Sequence, residues 1–449
     1  MENSEMIKNR INNMRRTINK ASAAFDKLPV PDNVKNKIKT LVFGDEKLNE
    51  LLSTADGARI PRVLFMGRTG VGKSTLINAI CGAYLACVSN AKSCTEGSSR
   101  YTITDSNGNP LMDIYDTRGI AESIAINNEN SEKQLKNDIE RFHPDIMLLV
   151  EDATVRDAAI DGDIRFVKDV RHDYNRRYNQ DLPLVMVINK CDSVPPTSEQ
   201  GAENYSPMKR EAIEKIVKEY QSNFTQKGLI VEKVIGVSSN IEWANGDTKV
   251  SNDVINSASD RERKSLQIGF DGRYNIDVLR DAIEDGISDI GAKRGFRMSF
   301  ELNDVVERIS KELIVVFSGI AGTIAFTPIP TSDIYILLAL QTFMVLLIAS
   351  LSGREITFDT AKEFLLSLGG VGAGGIGLRT IAQQSSKLLN FLVPFTGSAV
   401  SAAIASTGTM AMGHMVIEYY IKGKDIKTVK KSFEKLKKQF KKDGRKKNM

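Results

Sequence analysis

A glycine-rich loop between a predicted strand and a predicted helix constrains the fold of this chain more than any other feature. The apolar run Arg62–Met66 predicts the strand, and a helical pattern follows the loop. In such a loop, glycines let consecutive backbone N–H groups turn inward, and the helix N-terminus attracts anions. The segment therefore predicts a polyphosphate site. The loop residues expected to contact the ligand are Gly67, Arg68, Thr69, Gly70, Val71, Gly72, Lys73, Ser74 and Thr75.

Two side chains of this loop are expected to carry specific chemistry. Lys73 would place a positive charge on the outer phosphates, where it also stabilises charge that develops during phosphoryl transfer. Ser74 would ligate Mg²⁺ through its hydroxyl group. Both residues follow the last glycine of the loop and open a helix, which is the context that this motif requires.

The pattern around the loop predicts an α/β fold. Between residues 61 and 292, short apolar runs alternate with helix-length segments. This alternation predicts a mostly parallel sheet that is covered by helices on both faces. Asn107-Gly-Asn109 lies between two strand-like runs and predicts a hairpin turn. The polar stretch 241–272 is predicted to be an insertion loop.

Two further segments complete the predicted phosphate and metal site. Asp116 follows a predicted strand and is expected to hold a Mg²⁺-bound water, while the N–H group of Gly119 would meet the terminal phosphate. Thr95 lies before the strand-like run 101–104 and is expected to ligate Mg²⁺ only in the triphosphate state. Neighbouring serines at 93, 98 and 99 are alternatives to Thr95. The candidate catalytic residues are Lys73, Thr95 and Gly119, and the candidate metal ligands are Ser74, Thr95 and, through water, Asp116.

A third segment predicts which base is bound. Asp192, in Asn189-Lys-Cys-Asp192, follows a buried strand and can accept hydrogen bonds from N1–H and the amino group of guanine. Adenine has a lone pair at N1, so a buried carboxylate would be left unpaired and adenine would be rejected by a factor on the order of 10⁴. Asn189 would brace the loop, and the stem of Lys190 would cover the base. Backbone donors from Ser238 and Ser239 would meet the guanine oxygen.

Taken together and in this order, the segments GRTGVGKST, SCTE, DTRGI and NKCD resemble the Era/TrmE-like branch of translation-factor-related GTPases. The resemblance covers residues 61 to about 240. It implies a P-loop GTPase domain, which binds GTP or GDP with Mg²⁺ and hydrolyses GTP to GDP and phosphate.

Three positions refine what this resemblance implies. Ile120 follows Gly119 where that branch also carries an apolar residue, and an alkyl side chain cannot orient water. Slow turnover without dimerisation or an effector is therefore implied. Gly70 stands where several members carry an asparagine linked to potassium activation, so potassium dependence is not implied here. The form of the loop is similar to immunity-related and chloroplast-import GTPases, which implies a homodimer or another self-association.

Residues 293–421 predict an all-α hydrophobic domain, because long runs of apolar and small residues there carry few charges. The run Phe326–Asp333, the apolar helices after it and a glycine cluster resemble a hydrophobic domain of unknown function. That domain occurs in uncharacterised bacterial membrane-associated proteins, some of them fused to such GTPases. The resemblance implies association with a bilayer.

The sequence leaves two interpretations of these helices open. They insert into or lie on a membrane, or they form a bundle whose inner helices are hydrophobic on all sides. Residues 422–449 carry 13 basic and 3 acidic residues, a net +10, along an amphipathic helix. Such a tail suits an anionic membrane; the alternatives are a solvated helix or a coiled-coil surface. Nucleic acid is a weaker alternative, because no aromatic platform accompanies the charge.

The remaining sequence defines the expected organisation and location. Residues 1–60 predict a helical segment, so the expected parts are 1–60, 61–292, 293–421 and 422–449. The four cysteines form no CxxC pair and the first thirty residues lack a signal-peptide core, which predicts a cytoplasmic protein. Together with the basic tail, this places it at the cytoplasmic face of a membrane.

The main hypothesis is a membrane-associated GTPase that acts as a nucleotide switch or in remodelling. Two alternatives remain at the level of sequence. One is a GTP-gated interaction module without enzymatic turnover. The other is a soluble ribosome- or RNA-associated GTPase, which predicts salt-sensitive RNA binding through the tail.

Overall fold

The computed structural model describes residues 2–25, 32–54, 57–84, 99–105, 108–117, 129–155, 160–246, 248–259, 262–263, 266–326, 333–353, 357, 361, 364, 399–424 and 426–433. The chain divides into two compact units. The first comprises Met1–Ile7 and Gly57–Phe300, and the second comprises Lys8–Asp56 and Glu301–Met449. The domain limits expected at residues 60, 292 and 421 stay predictions.

The secondary-structure elements are numbered here along the chain. The strands are β1 (Arg62–Met66), β2 (Ser99–Thr104), β3 (Pro110–Asp116), β4 (Ile146–Asp152), β5 (Leu184–Asn189), β6 (Lys233–Gly236), β7 (Ser238–Asn245), β8 (Thr248–Lys249) and β9 (Gln267–Tyr274). The helices are α1 (Glu2–Phe25), α2 (Asp32–Phe43), α3 (Glu46–Thr54), α4 (Lys73–Cys81), α5 (Glu129–Phe142), α6 (Ile160–Tyr178), α7 (Pro207–Gln226), α8 (Asn252–Ser257), α9 (Ile276–Gly286), α10 (Ile290–Phe326), α11 (Asp333–Leu351) and α12 (Ala399–Val416).

The first unit is built on a six-stranded sheet with the order β2-β3-β1-β4-β5-β6. Strands β3, β1, β4, β5 and β6 run parallel, and β2 pairs antiparallel with β3. The predicted α/β fold with a mostly parallel sheet is therefore confirmed. Because the parallel strands share a direction, their carboxyl ends lie along one edge, where the loops that follow β1, β3, β4 and β5 meet.

Both faces of this sheet are covered, which explains why its central strands β1, β4 and β5 are mostly apolar. Phe65 on β1 belongs to a core with α4, α9 and the start of α10. Leu64, its neighbour, points to the opposite face and belongs to a core with α5, α6 and α7. A strand buried on both sides has a continuous apolar sequence, as in residues 63–66 and 184–188.

The expected insertion loop 241–272 is wrong, because residues 241–245, 248–249 and 267–272 belong to a second sheet. Strand β7 pairs antiparallel with β8 and with β9, in the order β8-β7-β9. Its buried side chains include Trp243, which packs with Tyr84 and Ile255. The segment is polar because this small antiparallel sheet buries few of its side chains, and the remainder carries the Asn, Ser and Asp residues.

The described part of the second unit is helical, as predicted. The stripe of α1 is buried at Ile11, Met14 and Ile18, and Thr17 Oγ1 donates a hydrogen bond to the carbonyl oxygen of Ser350 on α11. Residues 340–351 of α11 are all buried. Across the ranges that the structure describes, no helix combines the length and the hydropathy that a membrane span needs.

Candidate functional site

The loop between β1 and α4 has a backbone that only glycine adopts easily at three positions. Gly67, Gly70 and Gly72 have φ angles of 140°, 88° and 90°. A Cβ atom at residue 67 would lie 2.3 Å from the carbonyl oxygen of Val150, and one at residue 72 would lie 2.5 Å from Asn189 Nδ2. The glycines at 67 and 72 are thus required by close packing as well as by conformation.

Lys73 is held inside this loop. Its side chain is buried, and Nζ donates hydrogen bonds to the carbonyl oxygens of Gly67 (2.8 Å) and Arg68 (3.0 Å). The ammonium group therefore lies within the curve of the loop, where the sequence places the phosphates. Ser74 and Thr75 follow in the first turn of α4, and Thr75 Oγ1 lies 3.1 Å from Ser239 Oγ.

Arg68 is directed away from the loop. Its Nε donates to Asp163 Oδ2 at 3.0 Å, in the first turn of α6. Glu151, near the end of β4, is buried in the same region, and its carboxyl group interacts electrostatically with Arg68 and Lys73. Burial and the neighbouring Asp163 raise the pKa of Glu151 to about 7, although Arg68 and Lys73 oppose the rise. A buried cluster of opposite charges thus lies beside the phosphate loop.

The structure describes two of the three predicted metal-site residues, Ser74 and Asp116. Asp116 ends β3 and is buried; in the parallel register it lies opposite Phe65 of β1, two residues before the loop. The N–H group of Thr117 donates to the carbonyl oxygen of Phe65 at 3.1 Å, which fixes the end of β3 at the loop. Ser74 and Asp116 therefore come from adjacent elements. Thr95 and Gly119 lie outside the described residues.

The segment after β5 contacts the phosphate loop directly. Asn189 is fully buried, and its Nδ2 donates to the carbonyl oxygen of Val71 at 2.9 Å. Asp192 Oδ1 accepts a hydrogen bond from Ser238 Oγ at 2.9 Å. The side chain of Ser238 thus orients the carboxylate, a contact that the sequence analysis missed because it expected backbone donors there.

Lys190 is fixed by a partner that the sequence did not indicate. Its backbone has a φ angle of 63°, and its Nζ donates to Asp152 Oδ2 at 2.7 Å. The other oxygen of Asp152 accepts from the N–H and hydroxyl groups of Thr154. Burial raises the pKa of Asp152, but the bonds from Lys190 and Thr154 outweigh it and lower that pKa. Asp152 therefore remains an anion that holds Lys190.

A cavity of about 230 Å³ joins these groups. It contains three predicted base-binding residues, Lys190, Asp192 and Ser239, beside Thr75 of the phosphate-loop helix. The remaining lining residues are Asn78, Tyr84, Asn240, Ile241 and Trp243. The rings of Tyr84 and Trp243 meet edge to face at 5.5 Å. The cavity supplies a carboxylate, polar edges and aromatic walls beside a phosphate loop, which fits a purine nucleotide.

The fold and this site define the class of the first unit as a P-loop nucleotide-binding domain. Comparison with known proteins narrows the class. Residues 62–190 match a family described as 50S ribosome-binding GTPase, and residues 298–445 match a domain of unknown function (DUF697). Residues 62–190 are thus an Era/TrmE-like P-loop GTPase domain, a class that binds GTP or GDP with Mg²⁺.

Curated relatives match part of the chain. The tRNA modification GTPase MnmE of Acaryochloris marina is 28% identical over 212 residues, 44% of this chain and 41% of that protein. The GTPase Era of a Nostoc species is 32% identical over 143 residues, 32% of this chain and 40% of that protein. This chain therefore spans less than half the length of both relatives.

Solved structures with a related fold include the LeoA bacterial dynamin GTPase, at 12% identity and a TM-score of 0.34, covering 96% of this chain and 71% of LeoA. Toc33 from Arabidopsis thaliana, in complex with GDP and Mg²⁺, is 17% identical with a TM-score of 0.28, covering 49% of this chain and 83% of Toc33. Scores this low carry no argument about activity.

Proposed function

We propose that this chain binds GTP with Mg²⁺ and hydrolyses it to GDP and phosphate, as a nucleotide-dependent switch. The observation that carries the proposal is the cavity in which Asp192 and Lys190 lie beside Thr75 of the phosphate-loop helix. A carboxylate there suits guanine, and the adjacent loop suits a polyphosphate.

Each predicted site residue has a specific role in binding the phosphates and Mg²⁺ or in hydrolysis. Backbone N–H groups of residues 70–75 would bind the phosphates, and Lys73 would stabilise negative charge on the transferring group. Ser74 and, through water, Asp116 would hold Mg²⁺, which neutralises charge on the phosphates when bound; Thr95 would complete that set in the triphosphate state. Gly119 would donate its N–H group to the terminal phosphate.

Turnover is expected to be slow without a partner, because Ile120 cannot orient a water molecule. Intrinsic rates of such domains lie on the order of 10⁻⁴ to 10⁻² per second. Self-association that supplies the missing group would raise the rate per molecule as the protein concentration increases.

Phosphate release from GTP, measured across a range of protein concentrations, tests the proposed activity. The wild type should release phosphate, Lys73→Ala should reduce the rate at least about a hundredfold by removing charge stabilisation, and exposed Lys215→Ala should match the wild type. Binding of GTP without any phosphate release would favour the interaction module, and equal rates in all three proteins would refute the role of Lys73.

We also propose that the helical unit associates with an anionic membrane at the cytoplasmic face. The net charge of +10 in residues 422–449 and the apolar stretches before it support this. The burial of residues 340–351 within their unit favours contact through the surface and tail over exposure of α11 to lipid.

Flotation with vesicles separates this proposal from its alternatives. Binding to phosphatidylserine vesicles that weakens with salt and with the double substitution Lys437→Ser and Lys438→Ser would support a surface-bound protein. Absence of binding to anionic and neutral vesicles alike would leave a bundle that stays in water, and retention of RNA under the same conditions would favour the RNA-associated alternative.

A further inference from the structure

Lys209 is a fully buried lysine in the first turn of α7. Lysine is almost never fully buried unless its charge is compensated. Here Nζ donates to three backbone carbonyl oxygens, those of Asp192 (2.7 Å), Glu199 (2.7 Å) and Pro196 (3.0 Å). All three N–H bonds of the ammonium group are therefore used.

All three acceptors belong to one loop, residues 192–199, which starts at the carboxylate predicted to bind guanine. The ammonium group joins the two ends of this loop and fixes both to α7. The ring of Tyr205 lies 4.5 Å from Nζ and covers it. Burial lowers the pKa of Lys209 below its ordinary value, and the carboxyl groups of Asp192 and Glu199 offset only part of this shift.

The backbone of Lys209 is itself held in place. Ser206 caps α7, and its Oγ accepts a hydrogen bond from the N–H group of Lys209 at 3.3 Å. The N–H group of Ser206 donates to Glu199 Oε2 at 2.8 Å, so the start of the helix and the end of the loop are joined twice. Lys209 therefore acts from a fixed position.

Asp192 is consequently held at two points. Lys209 binds its carbonyl oxygen, and Ser238 Oγ binds one oxygen of its carboxylate at 2.9 Å. To accept from N1–H and the 2-amino group of guanine together, a carboxylate must keep its position and its plane. A small displacement loses both hydrogen bonds, because each depends on distance and angle.

We propose that Lys209 is a positioning residue for guanine recognition, which holds the loop 192–199 so that the Asp192 carboxylate meets the 2-amino group of the base. This inference rests on the proposed binding of guanine nucleotides. It adds a residue 17 positions beyond Asp192 that contacts no nucleotide itself.

The ratio of affinities for GDP and IDP tests the inference, because IDP lacks only the 2-amino group. Dissociation constants would be measured by calorimetry with Mg²⁺ for the wild type, Lys209→Met, Lys209→Gln and the control Lys215→Met, whose side chain is exposed on the same helix. The wild type and the control should prefer GDP about tenfold to a hundredfold, the range for a charge-assisted hydrogen bond. Lys209→Met should lower this preference to about threefold or less.

A purely structural role for Lys209 would weaken the binding of GDP and IDP equally and leave the ratio unchanged. A folded Lys209→Met protein with the wild-type ratio would therefore overturn the inference. If Lys209→Met does not fold, Lys209→Gln decides. Its amide keeps polar atoms in the buried site, but it is neutral and one atom shorter than lysine, so it cannot hold all three carbonyl oxygens. A reduced ratio supports the inference and an unchanged one overturns it. A wild type that binds neither nucleotide would instead overturn the proposed function.

Discussion

Three lysine side chains determine much of the chemistry that this site offers. Lys73, Lys190 and Lys209 each donate to oxygen atoms at 2.7–3.0 Å, but to different kinds of acceptor. Lys73 binds carbonyl oxygens of its own loop, where phosphate oxygens can replace them. Lys190 binds the carboxylate of Asp152, and Lys209 binds a neighbouring loop. The contacts of Lys73 can therefore be exchanged for contacts with phosphate, whereas the contacts of Lys190 and Lys209 support the base site.

Replacing Asp152 should weaken nucleotide binding without changing base preference. Asp152→Asn removes the charge that fixes Lys190 and should lower GDP affinity about five- to thirtyfold, equivalent to about 1–2 kcal/mol. The GDP-to-IDP ratio should stay at the wild-type value, because Asp192 keeps its own supports. Calorimetry measures the GDP affinity and the GDP-to-IDP ratio, with exposed Asp277→Asn as the control. A large fall in the ratio for Asp152→Asn would contradict the separate roles of Asp152 and Asp192.

Neutralising Glu151 should stabilise the protein in a pH-dependent manner. Its pKa is raised to about 7 in the folded state from an ordinary value of 4.5. The folded state therefore favours the protonated form, and stability is lost as the pH rises through about 7. The loss at high pH is roughly 2–4 kcal/mol.

Melting temperatures of nucleotide-free wild type and Glu151→Gln between pH 5 and pH 8 measure this effect. The two should agree near pH 5, and the variant should melt higher at pH 8. Glu214→Gln, at an exposed position, should follow the wild type throughout. A difference that does not grow with pH would show that Glu151 does not titrate in this range.

At the scale of elements, β7 serves two parts of the site. Its first residues, Ser238 and Ser239, belong to the predicted base loop, and Trp243 further along the strand lines the same cavity. Strand β9 pairs along it, and at Gly272 an added Cβ would lie 3.1 Å from the carbonyl oxygen of Asn240. The second sheet therefore forms a wall of the cavity rather than a surface insertion.

Trp243 should report nucleotide binding, because it is the single tryptophan of the chain and it lines the cavity. Adding GDP should change its emission in a saturable way, since a base in the cavity alters the surroundings of the indole ring. ADP at the same concentration and GDP with Asp192→Ala should give no saturable change. An emission that GDP leaves unaltered would place the base elsewhere.

The sequence implies the backbone conformation of the contiguous phosphate loop, for physical reasons. The residues from Gly67 to Thr75 depend on local backbone conformation and on the strand and helix beside them, so the motif implies its structure. The roles of Lys209 and Asp152 were not predicted, because their partners lie 10–17 and 38 residues away in the chain. No periodicity connects such pairs. The meeting of parallel strand ends brings Asp152 to Lys190, and the start of α7 brings Lys209 to the loop 192–199.

At the scale of the whole molecule, the N-terminal helices from Lys8 onward belong to the same compact unit as the C-terminal helices. Ile11, Met14 and Ile18 are buried in that unit, and Arg10 donates to Asn303 Oδ1 at 2.8 Å. The spacing of Ile7, Ile11, Met14 and Ile18 at three and four residues predicts a packed face for α1. The spacing does not identify the surface that covers this face, because an apolar stripe carries no information about its partner.

Met14→Ala should destabilise the helical unit and spare the nucleotide site. Met14 has no exposed surface and lies in the second unit, so its truncation should cost about 2–5 kcal/mol. Denaturant unfolding followed by far-UV circular dichroism should show the loss, while GDP affinity stays at the wild-type value. Val315→Ala, at a side chain that is 63% exposed, should change neither quantity. A matching loss in both variants would contradict burial of the α1 face.

Equilibrium binding of GDP and ADP to the purified protein with Mg²⁺ tests the central claim most directly. One GDP should bind per chain, with an affinity for GDP that exceeds the affinity for ADP by a factor on the order of 10⁴, because adenine leaves the Asp192 carboxylate unpaired. Equal affinities for the two nucleotides, or no binding of GDP at all, would contradict the assignment of this cavity as a guanine-nucleotide site.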